Sequence, residues 1–206
     1  MRDVRIRLIA EIGLAVALSL ALNAVFTLLI PFRMPAGGSL SLIMLPIVVL
    51  ALTRGSLVGI TAGLLVGFSD LMFGPYIISI PQMLLDYPIA YGLVGLAGLF
   101  ALRPLSQEKA ASNHAGGQPD PAAKQVPSIA KLVFYAVLGT AIGGLARFAA
   151  HVFSGVIFFG QYAPDVQNVW LWSALYNISF MGPNTVAVAI CAALAFPLIY
   201  RVVRTA

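Results

Sequence analysis

One apolar stretch, RFAAHVFSGVIFFG at 147–160, carries a guanidinium and an imidazole four residues apart. Steps of four on a helix stack side chains on one face. Arg147, His151, Gly155 and Phe159 therefore form one stripe: a cation, an imidazole, a bare patch of backbone and an aromatic plate. Ionisable groups inside a bilayer are costly and usually face an interior cavity, so this stripe is a candidate site. Two more polar residues stand in apolar surroundings, Asp86 in MLLDYPIAYG and Asn177 in SALYNISF. A carboxylate brings negative charge to a place where ionisation is expensive without a positive partner. His151 and Asn177 can each donate and accept, which suits the edge of a heteroaromatic ring. Phe159, Trp172 and Tyr76 offer π faces for stacking or cation–π contact. Such a set favours a small aromatic cation.

Plainer readings stand beside these. Asp86 could be a protonated, hydrogen-bonded structural residue. It could also sit at a helix start, near the N-terminal amides, with Pro88 in the first turn. His151 could be a satisfied residue of the bundle. Phe159 and Trp172 could belong to an interfacial aromatic belt. Arg147 lies deeper and reads as structural, forming the floor by pairing with carbonyls or an acid. Asp70, one turn before GPY, is a weaker candidate or a cap on the third span. No H-E-x-x-H, Cys cluster or Walker A motif occurs, so neither an enzyme nor a metal or other cofactor is expected. Cys191, in an apolar run, reads as a buried inert thiol. His114 reads as a solvated loop residue.

The elements that must hold these groups are membrane helices. The chain has 206 residues, 60% hydrophobic and 9% charged, with mean hydropathy +0.96. A soluble domain carries roughly 25% charged residues. The composition is that of an all-α integral membrane protein with a single transmembrane domain over residues 1–206. The alternating short segments of a β-barrel are absent. The net charge of +5 comes from basic residues at span ends, so it marks contact with membrane lipid and not with nucleic acid. The first apolar run is long and lacks an A-x-A pattern, so no cleavable signal peptide is expected.

Six spans are expected, at about 8–30, 40–53, 57–73, 82–102, 130–160 and 171–200, with a flexible cytoplasmic loop at 103–128 rich in Ala, Gly, Pro, Ser and Gln. Gly13, Ala17 and Ala21 recur every four residues along the first span. Such a small-residue face lets another helix approach closely, either within the bundle or from a separate protein. PFRMPAGGS at 31–39 cannot lie unpaired in lipid, so it is exposed or folds over a cavity. With the N-terminus inside, Lys and Arg at cytoplasmic positions outnumber the single outer Arg33, which places both termini in the cytoplasm. At about 1.5 Å per residue, Asp86, Asn177 and His151 then lie roughly 6, 9 and 13 Å below the outer helix ends, beneath Tyr76, Phe159 and Trp172. No internal repeat is visible, which weighs against a secondary transporter with paired halves.

The segments GGSLSLIMLPI at 37–47, GPYIISIPQMLLDYP at 74–88, ARFAAHVFSGVIFFGQYAP at 146–164 and SALYNISFMGPN at 173–184 resemble the ThiT family. These are the thiamine-specific S components of energy-coupling factor (ECF) vitamin transporters. The resemblance implies a six-helix S-component fold in the cell membrane of a bacterium, and a thiamine site near the outer face under the first loop. It places an acidic–Tyr pair at Asp86 and Tyr87, and a His, Gly and stacking aromatic at His151, Gly155 and Phe159. A last-helix aromatic and Asn fall at Trp172 and Asn177, and a rim tyrosine at Tyr76. It also implies docking through the first helix onto a transmembrane T component that carries two cytoplasmic ATPases. A thiamine precursor or related pyrimidine is the alternative ligand, and a stand-alone secondary transporter the alternative function.

Overall fold

The structure, a computed structural model, describes residues 2–30, 33–35, 37–101 and 127–205. The expected 103–128 loop, with His114, lies outside the described residues save Pro127 and Ser128. Six helices make up the described chain: α1 Arg2–Leu29, α2 Met44–Arg54, α3 Ser56–Asp70, α4 Ile80–Phe100, α5 Ile129–Phe159 and α6 Val169–Thr205. Five of them are long and apolar enough to cross a membrane.

The exception is α2. Its 11 residues reach about 16 Å at 1.5 Å per residue, half of a roughly 30 Å hydrocarbon core. The segment expected as a second span at 40–53 is thus a half-length helix with non-helical chain before it. Gly37 and Gly38 turn the chain inward with φ of 90° and 98°. Residues inside a membrane cannot leave backbone groups unpaired, and α6 meets part of that demand here. The Ser41 N–H donates to Asn184 Oδ1 at 2.9 Å, and Asn184 Nδ2 donates to the Ser39 carbonyl at 2.8 Å. From there α2 runs through the middle of the bundle. Ile47, Ala51 and Leu52 pack in one core with Val94 and Ala97 of α4, Leu132 and Ala136 of α5, and Val188 and Phe196 of α6.

Helix α3 meets α4 closely enough for backbone to touch backbone. Gly59, Gly63 and Gly67 repeat every four residues and so line one face. A Cβ on Gly63 would strike the Tyr91 carbonyl, and one on Gly67 would strike the Pro88 backbone. From the other side, a Cβ on Gly95 would strike the backbone of Gly59 and Ile60. This seam of small residues brings the two helices into direct contact.

Helix α4 begins at Ile80, where Ser79 Oγ accepts the Gln82 N–H. Asp86 therefore lies well inside the helix, and the reading that D-Y-P starts a helix is corrected. Residues Leu85–Ile89 form a π turn around Pro88. Proline lacks an N–H and cannot make the ordinary i→i−4 bond, and single π turns take up such interruptions.

At the other end of the bundle Glu11 is an ion-pair hub. Its Oε1 accepts Arg7 Nε at 3.1 Å and Arg54 Nη2 at 2.5 Å, tying α1 to the end of α2. Ala15 and Ser19 of α1 are buried. Gly13, Ala17 and Ala21 face outward, and a Cβ on Gly13 would have nothing within 4 Å. The small-residue face of α1 is thus left unused by the bundle.

Candidate ligand-binding site

Above the N-terminus of α2 lies a cavity of about 360 Å³, within the range of small-molecule sites. Its walls come from α1, residues 33–35 and 37–43, the 73–76 turn, and α3 to α6. Asp86, on the π turn, faces α5. Its Oδ1 lies 3.0 Å from His151 Nδ1, and its Oδ2 accepts Ser154 Oγ at 2.8 Å. From one turn earlier on α4, Gln82 Nε2 donates to the same Oδ2 at 2.7 Å. Gln82, 2% exposed, also bonds the Ile78 N–H and the Tyr76 carbonyl, so it ties the turn before α4 to the carboxylate.

The stripe on α5 faces this cavity. Arg147 Nε donates to His151 Nε2 at 3.3 Å, and the guanidinium lies 4.0 Å above the Tyr91 ring. Its Nη1 has no hydrogen-bond partner among the described residues. Gly155 lines the cavity and also admits α6: a Cβ there would strike Ser173 Oγ. Ser173 Oγ in turn donates to the Val152 carbonyl. Asn177 Nδ2 donates to the His151 carbonyl at 3.3 Å and to the Ser173 carbonyl at 2.9 Å, so it bridges α5 and α6.

The aromatic residues form the rim. Phe159 is buried, with the Tyr76 ring 6.0 Å away. Tyr87 Oη accepts the Tyr76 N–H at 2.9 Å, which pins the GPY turn to α4. Trp172 lies 6.0 Å from Tyr176, whose Oη donates to the Gly37 carbonyl. All eight residues expected at the site, Tyr76, Asp86, Tyr87, His151, Gly155, Phe159, Trp172 and Asn177, line this cavity.

Asp70 has more than a capping place. Its Oδ1 accepts Asn23 Nδ2 at 2.8 Å and its Oδ2 accepts the Tyr91 hydroxyl at 2.9 Å, both beside the cavity. Gln82, Ser154 and Asn184 went unread in the sequence. Gln82 is four residues before Asp86, and Ser154 three after His151, so helical spacing puts both on the site's faces. Asn184 had no such signal, since its partners are some 145 residues away in sequence. No group of three or more His, Cys, Asp or Glu able to hold a metal occurs among the described residues.

Comparison with known proteins agrees with this architecture. A family model described as thiamine transporter protein matches residues 9–203. The thiamine transporter ThiT of Bacillus subtilis is 36% identical over 201 residues, covering 97% of this chain and 95% of that one. The thiamine transporter ThiT of Lacticaseibacillus paracasei is 34% identical over 139 residues, covering 65% of this chain and 61% of that one. A solved structure of ThiT from Listeria monocytogenes superposes with a TM-score of 0.66 at 23% identity, covering 96% and 95% of the two chains, and shares the fold. The six helices are thus those of an S-component membrane fold, in a multi-pass protein of bacterial type. By the extent of the family match and the full-length likeness to a relative above 30% identity, this chain belongs to the thiamine transporter protein family.

Proposed function

We propose that the chain is the thiamine-binding membrane subunit, the S component, of an ATP-driven ECF importer. One observation carries the reading: the Asp86 carboxylate faces an aromatic-rimmed cavity and is held by Gln82, Ser154 and His151, with no Lys or Arg hydrogen-bonded to it among the described residues. A carboxylate with no Lys or Arg partner in low dielectric favours a cationic guest. Thiamine offers one, a thiazolium joined to an aminopyrimidine. Asp86 offsets the thiazolium charge or bonds the aminopyrimidine. Phe159 and Trp172 stack on the rings, and His151 and Asn177 set their orientation. Tyr76 and Tyr87 hold the rim, and residues 33–35 and 37–39 close over the guest. The role is capture by burial, without bond chemistry.

The unused α1 face of Gly13, Ala17 and Ala21 supports docking onto a transmembrane T component that carries two ATPases. The test is mass spectrometry of small molecules released from the purified, denatured protein. Thiamine is expected, and its pyrimidine half alone would reassign the ligand. Thiamine uptake by vesicles holding only this chain, without ATPases, would instead establish a stand-alone secondary transporter.

A further inference from the structure

His151 stands between two groups that leave it one arrangement. Arg147 Nε lies 3.3 Å from its Nε2, and Asp86 Oδ1 lies 3.0 Å from its Nδ1. A guanidinium only donates and stays charged. The Nε2 atom must therefore accept. A proton there would set two N–H groups head to head beside a cation. The proton of a neutral ring then belongs to Nδ1, which donates it to Asp86. Other neighbours do not change this. From α6 the ring meets Phe180, edge-on at 5.9 Å, and its backbone carbonyl meets Asn177; neither titrates. Asp86 on α4 and Arg147 on its own helix are the charged groups against it.

We propose that Arg147 is a positioning residue: it holds His151 uncharged with its proton on Nδ1, and so leaves the charge of Asp86 for a cationic ring. An imidazolium at His151 would pair with Asp86 and cancel that charge. Arg147 prevents this from the far side of the ring, while its own charge spreads over Tyr91. The consequence for binding rests on the thiamine reading above; the tautomer does not.

Two measurements test it. With His114→Gln as background, His151 is the one histidine left, and its ring nitrogens can be followed by 15N NMR. The expected spectrum at pH 7 shows Nδ1 protonated and Nε2 bare. A ring protonated on Nε2, or on both nitrogens, overturns the proposal without any change at Arg147. In the second, thiamine affinity is measured from pH 8 to pH 6. The protein with Arg147 should vary less than twofold. Arg147→Met should lose more than twofold towards pH 6, because the cation that opposes a proton on Nε2 is gone. Arg147→Lys, which restores a charged donor four residues from His151, should return the flat profile. A flat profile in Arg147→Met overturns the proposal. If the unsubstituted protein binds no thiamine, the function reading fails, and the NMR spectrum still decides the tautomer.

Discussion

Asn184 of α6 grips the chain entering the bundle at two points, accepting from the Ser41 N–H and donating to the Ser39 carbonyl. Both contacts are buried or partly so, and both belong to the cavity wall. A leucine at 184 would leave a donor and an acceptor unpaired, at about 1–3 kcal/mol each. Asn184→Leu should therefore loosen the 37–43 segment and weaken thiamine binding at least tenfold. Isothermal titration checks the affinity, and limited proteolysis checks the segment.

Asp86→Asn should reduce thiamine affinity by at least tenfold, or about 1.4 kcal/mol and more. The amide keeps the shape but loses the charge and one acceptor. Ser154→Ala removes a single donor to the same oxygen and should cost less, about 1 kcal/mol. Quenching of Trp170 and Trp172 fluorescence on titration with thiamine measures both. Equal affinity in Asp86→Asn and the parent protein would take Asp86 out of the site.

Gly155→Ala should be far more harmful than an alanine on an ordinary helix face. Its Cβ would strike Ser173 Oγ, so the hydroxyl must give up the Val152 carbonyl or α6 must retreat from α5. Overpacking of this kind typically costs about 1–3 kcal/mol. Ser173→Gly removes the obstructing group, and the double substitution should recover part of the loss in thermal stability. The coupling is read from a double-mutant cycle; simple additivity would show that the two positions do not press on each other.

Large residues on the outward α1 face should separate capture from transport. Ala17→Trp and Ala21→Trp alter a face that the bundle does not use. Thiamine affinity of the isolated chain should stay within about twofold, which is under roughly 0.5 kcal/mol. Uptake in cells, and co-purification with the T component and ATPases, should be lost. Uptake that survives both substitutions would move the docking surface elsewhere.

Much of this site was legible because helices translate spacing into faces. The stripe of Arg147, His151, Gly155 and Phe159 needed only a four-residue step. Asp86 and Asn177 stood out as polar groups in apolar runs. The second span was misread in length, since an apolar run of helical composition does not reveal where helix begins. That boundary is set by Gly37, Gly38 and the distant Asn184. Two of the three partners of Asp86 were missed for a different reason. Gln82 and Ser154 are common residues whose significance lies in what they touch. The second use of Gly155, as the seat of Ser173, likewise depends on a neighbouring helix that spacing along α5 cannot reveal.

The glycine line of α3 has a bearing on how such a binding site could be re-engineered. Helix α4, which bears Asp86 and Tyr87, rests its backbone directly on Gly63 and Gly67. That wall has a fixed position. A larger or smaller guest would have to be accommodated by trimming residues on α5, α6 or the inward-folded segment, while a substitution at Gly63 or Gly67 would push on the α4 backbone beside the acid.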